Sequence, residues 1–151
     1  MLLAKNDHHL EIKNFLHKNI CKYVIDYIDN NINSSEHWNS RKIIKLENKV
    51  SDSIIENVRQ IYINLRPTQK LLNLELISWD LGGDHAWHDD TIYYNYTTIT
   101  YLNDNFKGGT TEFKDFVIEP ETGKFIGFDS TKLHKVNKLE SGKRYVILAW
   151  Y

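Results

Sequence analysis

After Pro67 the chain becomes a series of short apolar runs separated by turn residues, and this pattern limits the possible folds most. The runs are rich in Ile, Thr, Tyr and Phe, which strands favour, and Gly or Asn pairs interrupt them. Many short strands at close spacing are typical of an antiparallel sandwich or barrel. We therefore predict a jelly roll for residues 71–151, with strands at 72–79, 91–102, 110–113, 116–118, 124–128, 133–137 and 144–151.

The first 70 residues have a different pattern. Apolar side chains recur at three- and four-residue steps over residues 12–29 and again over 53–65, which predicts two helices. Ser53 and Glu56 suit a capping box, and Pro67 follows the end of the second helix. Between the helices we predict a polar loop at 33–40 and a strand at 41–46.

The length of 151 residues predicts one domain with a substantial core. We expect residues 1–70 to be a helical support and residues 71–151 the core that holds the site. The predicted fold class is α+β, a double-stranded β-helix (jelly roll) with supporting N-terminal helices.

Composition argues against several classes of protein. The formal net charge is −1, so no basic field favours nucleic acid or an anionic membrane. Neither a signal peptide nor an apolar run long enough to span a membrane is expected. The single cysteine, Cys21, excludes an internal disulfide and fits a reducing compartment, so we expect a cytoplasmic protein.

The sequence His88-Asp89-Asp90 offers two metal ligands at positions i and i+2. Such residues point to the same face of a strand, so His88 and Asp90 can share a metal while Asp89 points away. His134, on a later predicted strand, supplies a third possible metal ligand and strengthens this interpretation of the short motif. Two histidines and one carboxylate form the facial triad of non-haem Fe(II) oxygenases.

The other histidines are weaker candidates. His85 lies three residues before His88, so on a strand it would face the other way, and we treat it as a rim residue. His8, His9, His17 and His37 have no spaced partners and are expected at the surface.

Arg144 opens the last predicted strand, and its i+2 series is Arg144, Val146, Leu148 and Trp150. An arginine in an otherwise apolar strand needs a partner. The partner is either an Asp or Glu of this chain or a dicarboxylate co-substrate, and the triad favours the second. Lys143 should face the opposite side.

These residues form an ordered pattern over about half of the chain. In order, the pieces are His88-Asp89-Asp90, Tyr101-Leu102-Asn103, Gly108-Gly109 with Phe113, Pro120 and Gly123 before Phe128, His134-Lys135-Val136, and Gly142-Lys143-Arg144-Tyr145 through Trp150-Tyr151. The pattern resembles the prolyl 4-hydroxylase-like family of 2-oxoglutarate/Fe(II) dioxygenases. By that resemblance, His88, Asp90 and His134 correspond to the catalytic iron ligands and Arg144 to the partner of the distal 2-oxoglutarate carboxylate.

The resemblance implies further co-substrate contacts. Tyr101 corresponds to a tyrosine whose hydroxyl helps to hold the carboxylate, and Val136 and Trp150 correspond to residues that line the pocket. From the residues alone, all three are also compatible with ordinary core packing.

The implied enzyme uses Fe(II), 2-oxoglutarate and O2, with ascorbate as reductant, and forms succinate. Its implied substrate is a prolyl residue in a peptide or protein. Aromatic residues expected to flank the pocket suit a proline ring, and they are Trp79, Trp87, Tyr93, Tyr94 and Tyr96.

Two departures from the family pattern concern the substrate. Trp79 replaces a tyrosine common before the glycine turn, and Gly108-Gly109-Thr110-Thr111 replaces Gly-Gly-Glu-Thr.

Three alternatives stay open: the same chemistry on a small molecule such as a free amino acid, a nucleobase demethylase, and a non-catalytic cupin-like binding protein. The absence of any arginine between Arg66 and Arg144 argues against the demethylase.

Overall fold

The computed structural model describes residues 2–5, 9–31 and 36–151. The elements in chain order are β1 (Leu2–Lys5), β2 (Leu10–Ile12), α1 (Lys18–Asn30), β3 (Glu36–Trp38), β4 (Arg41–Lys45), α2 (Ser53–Leu65), β5 (Asn73–Trp79), β6 (His85–His88), β7 (Tyr96–Tyr101), β8 (Lys107–Gly108), β9 (Thr111–Phe113), β10 (Val117–Ile118), β11 (Phe125–Asp129), β12 (His134–Val136), β13 (Leu139–Ser141) and β14 (Arg144–Trp150).

The strands form two main antiparallel sheets. The larger sheet has eight strands in the order β1-β2-β11-β7-β14-β5-β4-β3, and the smaller has four in the order β10-β9-β12-β6. Strands β8 and β13 pair separately. This arrangement is a double-stranded β-helix, which confirms the predicted fold class.

Both faces of the larger sheet are covered, and neighbouring residues of one strand therefore pack into different cores. Val146 and Ile77 lie in the core between the two sheets. Ile147 and Leu76 lie in the second core, which also contains Tyr62 of α2. Since side chains alternate along a strand, the apolar run in β14 reflects burial on both sides.

The first helix begins later than predicted. Ile12 belongs to β2, where it pairs with Phe125 of β11, and α1 starts only after its N-cap, His17. Between them Asn14 adopts a φ of 52°, which is incompatible with a continuous helix. The prediction was wrong for residues 12–17 because apolar strand and loop residues happened to follow helical spacing.

The second helix has the predicted bounds but a different cap. Asp52, not Ser53, is the N-cap, and its Oδ1 accepts hydrogen bonds from the N–H groups of Ile54 and Ile55 at 3.0 Å. Glu56 accepts from the N–H of Val50 instead of closing a capping box. Either residue type can cap a helix, so composition alone could not separate them.

The predicted strands agree with the structure to within one residue at each end, except in two regions. Residues 91–95 precede β7 as a turn, in which the N–H groups of Tyr93 and Tyr94 reach the carbonyl of Asp90. Within the predicted loop 33–40, residues 36–38 form β3, while 32–35 lie outside the described residues.

Six short strands were not predicted: β1, β2, β3, β6, β8 and β13. They are two to four residues long and carry too few side chains for a recognisable alternation. His9, next to β2, is only 9% exposed and stacks on Phe116, so its expected surface position was wrong. The side chains of His8 and His37 are outside the described residues.

Candidate active site

Two neighbouring strands of the smaller sheet bring the predicted metal ligands together. His134 of β12 lies directly opposite His88 of β6, and Asp90 follows shortly after β6. One ligand atom from each of the three residues lies within 4.8 Å of the others. The distances from Asp90 to Nε2 of His88 and of His134 are 3.9 and 3.8 Å.

Backbone carbonyls orient both imidazole rings. His88 Nδ1 lies 2.6 Å from the carbonyl oxygen of Ala86, and His134 Nδ1 lies 2.9 Å from that of Lys132. A carbonyl only accepts, so Nδ1 carries the proton and the Nε2 lone pair is directed at the shared centre. Burial is the main reason that the pKa of His134 lies below its ordinary value, which keeps the ring neutral.

Asp90 is held by two donors. Its Oδ2 accepts from the Thr97 hydroxyl at 2.8 Å and from the Trp150 indole at 3.2 Å. Asp89 points away, is exposed, and accepts from the N–H of Thr91. Trp150 was predicted as a pocket residue, but its contact with Asp90 was not, because it joins side chains 60 positions apart.

This donor set suits iron. Two imidazole nitrogens and one carboxylate match the facial triad of Fe(II) oxygenases, in which open coordination positions remain for co-substrate and oxygen. The site offers no thiolate, because Cys21, the single cysteine, is buried in the core with the helices. A structural zinc site would be expected to have four protein ligands.

Arg144 is almost fully buried, at 1% exposure, and lines the same cavity as His88, Asp90 and His134. Its Nε donates to the carbonyl of Gly109 at 2.9 Å, and Nη2 lies 3.4 Å from Thr111 Oγ1. Gly109 has a φ of 63°, and a Cβ there would lie 3.1 Å from Arg144 Cδ. Glycine therefore permits this close approach.

No Asp or Glu in the described part of the chain forms an ion pair with Arg144. Burial lowers its pKa, but guanidinium stays protonated in proteins. A buried cation without a carboxylate from its own chain needs an anion from elsewhere. The geometry thus favours the second of the two partners considered for this arginine, an anionic ligand.

The three other predicted co-substrate contacts, Val136, Trp150 and Tyr101, lie in two places. Val136 and Trp150 line the same cavity as the three proposed ligands and Arg144, and the cavity volume is about 210 Å³. Tyr101 is fully buried behind it, with its ring centre 5.4 Å from the Arg144 guanidinium carbon. Its hydroxyl shares a 2.6 Å hydrogen bond with Thr111.

Four polar residues of this cavity were not identified as site residues from the sequence: Arg41, Glu75, His85 and Thr97. His85 reaches it because the register of β6 and β12 shifts between His88 and His85, which places its ring in a stack on His88 at 3.6 Å. Burial, followed by the neighbouring His88, lowers the pKa of His85 to about 3. An isolated strand pattern gives no signal for such a shift.

Comparison with known proteins decides the family. Residues 74–151, which include all the predicted site residues, match the family described as the 2OG-Fe(II) oxygenase superfamily. The chain belongs to this family. It is therefore a dioxygenase, and its family uses Fe(II), 2-oxoglutarate and O2. No curated protein is similar enough in sequence to count as a relative.

Solved structures with the same fold include prolyl hydroxylases. A viral collagen prolyl hydroxylase from Paramecium bursaria Chlorella virus-1 has a TM-score of 0.73 at 16% identity, covering 96% of this chain and 95% of its own. A Pseudomonas putida prolyl-4-hydroxylase has 0.76 at 14%, covering 95% and 92%. A Trichoplax adhaerens prolyl hydroxylase in complex with a peptide fragment has 0.73 at 16%, covering 97% and 84%. At these identities the similarity shows the shared fold.

The described helices are each 13 residues long, and neither is long and apolar enough to cross a membrane.

Proposed function

We propose that this dioxygenase hydroxylates a prolyl residue in a peptide or protein. The observation that supports it most directly is the single cavity that joins the three proposed metal ligands to Arg144, a buried cation with no carboxylate partner in the described chain. The reaction would convert substrate C–H, 2-oxoglutarate and O2 into substrate C–OH, succinate and CO2. Ascorbate would serve as the reductant that maintains Fe(II).

In this proposal His88, Asp90 and His134 are the catalytic residues that hold iron through Nε2, one carboxylate oxygen and Nε2. The bound metal would supply the oxygen chemistry. Arg144 would pair with the distal carboxylate of 2-oxoglutarate, with Tyr101 supporting it from behind.

Val136 and Trp150 would line the co-substrate site, and Trp150 would also hold the Asp90 carboxylate through their 3.2 Å hydrogen bond. The protein's own contribution is therefore to position the reactants: it holds the metal ligands in place and binds 2-oxoglutarate beside them. A substrate C–H bond is then held close to the metal.

Aromatic residues around the site support a prolyl substrate. Trp79 lines the cavity, while Trp87 and Tyr93 are 38% and 74% exposed. Tyr94 and Tyr96 serve the fold instead, stacking on Trp150 and lying under Arg66 respectively. Aromatic faces favour proline rings and extended proline-containing chains.

We also propose that residues 1–151 act as one domain, with 1–70 supporting the core formed by 71–151. We further propose that the protein is cytoplasmic and binds neither nucleic acid nor membranes. Its basis is the absence of disulfides and the near-neutral charge.

Mass spectrometry of proline-containing peptides, incubated with the protein, Fe(II), ascorbate and 2-oxoglutarate, tests the proposal. We expect one added oxygen on proline and an equal amount of succinate. His134→Ala should abolish both while leaving the circular dichroism spectrum unchanged. If a broad peptide set gains no oxygen while free amino acids stimulate succinate release, the peptide substrate is wrong and a small-molecule substrate replaces it.

A further inference from the structure

Side chains, rather than backbone carbonyls, hold the Asp90 carboxylate. Its Oδ2 accepts a hydrogen bond from the Thr97 hydroxyl at 2.8 Å and another from the Trp150 indole N–H at 3.2 Å. In the described part of the chain no hydrogen bond is made to Oδ1, which lies 3.9 Å from His88 Nε2. The two oxygens of this carboxylate therefore have different surroundings.

A second hydroxyl lies behind the first. Ser130 Oγ is 2.9 Å from Thr97 Oγ1. A hydroxyl has one proton to donate, and an ionised carboxylate can only accept. Because Thr97 donates to Asp90, Ser130 must be the donor to Thr97. Ser130 and Thr97, the hydroxyl pair, thus point one after the other at Asp90 Oδ2.

The backbone fixes the hydroxyl pair in this arrangement. Ser130 follows β11, and its carbonyl accepts from the N–H of Asp90 at 3.0 Å, while its own N–H donates to the carbonyl of Asn95 at 3.0 Å. Thr97 in β7 lies directly opposite Phe128 of β11. Ser130 and Thr97 are both buried. Hydrogen bonds in such a buried network strengthen one another.

The number of donors determines which oxygen of Asp90 can bind a metal. A carboxylate oxygen has two lone pairs, and the two donors at Oδ2 use both of them. The lone pairs of Oδ1 remain available. The carboxylate therefore has one oxygen for the protein and one for a ligand.

We propose that Thr97 and Ser130 are positioning residues that hold the Asp90 carboxylate with Oδ1 directed at the metal. This inference rests on the proposed metal site and goes beyond it, because it names the ligand atom and the residues that select it. Without the Thr97 hydroxyl, Trp150 would still occupy one lone pair of Oδ2. The carboxylate would then be free to turn, and the site would be less well organised for metal binding.

Thr97→Val tests the role of Thr97, because valine keeps the branched shape and removes the hydroxyl. Titration with Mn(II), in the absence of substrate and 2-oxoglutarate, measures metal affinity without turnover. Thr97→Val should bind Mn(II) about 10–100-fold more weakly than the unaltered protein, as for other outer contacts of metal ligands. Thr97→Ser should recover most of the affinity, since it retains the hydroxyl.

Thr98→Val is the matched control. Thr98 is the next residue of β7, is buried, and donates its hydroxyl to the carbonyl of Ala149 at 3.1 Å. Because side chains alternate along a strand, this hydroxyl lies on the opposite face from that of Thr97. Thr98→Val should lower the urea midpoint, as Thr97→Val does, but leave the Mn(II) affinity unchanged. The comparison separates the positioning of Asp90 from a general contribution to stability.

Ser130→Ala tests the outer member of the hydroxyl pair. Thr97 would still donate to Asp90, but it would lose the donor that orients its hydroxyl. The Mn(II) affinity should fall by about 2–10-fold, as for the loss of one ordinary hydrogen bond. If Thr97→Val does not fold, Ser130→Ala decides, and an unchanged affinity contradicts the proposal.

A crystal structure of the Mn(II)-loaded protein shows the ligand atom directly. We expect the ion on Oδ1, the oxygen of Asp90 that does not contact Thr97. An ion on Oδ2 would overturn the proposal, and so would Mn(II) affinity in Thr97→Val equal to that in Thr98→Val, or no recovery in Thr97→Ser. Each of these results leaves the metal site standing. If the unaltered protein binds no Mn(II), the proposed metal site fails and this inference fails with it.

Discussion

Each histidine of the proposed metal site is oriented by the backbone carbonyl two residues before it. Ala86 and Lys132 supply those carbonyls, and Thr97 and Trp150 hold one oxygen of Asp90. Such outer contacts fix ligand direction before any metal binds. Ligand types are visible in a sequence, but these contacts depend on backbone positions that it does not reveal.

At the same scale, Arg144 should set the affinity for 2-oxoglutarate. Arg144→Ala would leave the distal carboxylate without its charged partner, a loss on the order of 2–5 kcal/mol. Arg144→Lys should lose less, since it keeps the charge but not the fork. Calorimetric titration of 2-oxoglutarate into the Mn(II)-loaded variants measures both effects.

Lys143 provides the matched control, because it neighbours Arg144 but has an exposed side chain. Lys143→Ala should bind 2-oxoglutarate as the unaltered protein does. An unchanged affinity in Arg144→Ala would mean that the co-substrate carboxylate binds elsewhere.

At the scale of elements, α2 is connected to α1 through its cap. Tyr23 of α1 donates to Asp52 Oδ2 at 2.7 Å, while Oδ1 caps α2. The N–H of Ile55, and then Tyr23, lower the pKa of Asp52 below its usual value. A carboxyl with a depressed folded-state pKa stabilises the fold above its unfolded pKa, and this contribution is lost as the pH falls through the folded value.

Asp52→Ala should therefore lower the free energy of unfolding by about 1 kcal/mol, within the range of roughly 0.5–2 kcal/mol for N-caps. Ser53→Ala is the matched control, since Ser53 occupies the position that the sequence predicted as part of the cap. Urea denaturation at pH 7 measures both. A larger loss in Ser53→Ala than in Asp52→Ala would contradict the observed cap.

Element positions were predictable to different degrees for physical reasons. Strand β5 and helix α2 have strong periodicity and turn residues at their ends, and they were found within one residue. Residues 12–17 have the same spacing without being helical. Short strands such as β1 and β3 form because the sheet edge offers partners, a property of the assembled fold and not of their own residues.

At the scale of the whole molecule, the larger sheet separates two cores. Helices pack on its outer face, and the cavity opens between its inner face and the smaller sheet. The site therefore collects residues from β4, β5, β6, β7, β12 and β14. The site residues from His88 to Trp150 could be predicted because their residue types and spacing indicate a metal site and a carboxylate-binding arginine. Arg41 could not, because only the pairing of β4 with β5 places it beside Trp79.

Titration with Mn(II), as a stand-in for Fe(II), tests whether His88, Asp90 and His134 form one metal site. The unaltered protein should bind one ion per chain. His88→Ala should bind it more than about a hundredfold more weakly, since even outer contacts of a ligand cost about 10–100-fold. His17→Ala, which removes an exposed histidine that caps α1, should bind normally. Equal binding by His88→Ala and the unaltered protein would mean that His88 is not a metal ligand.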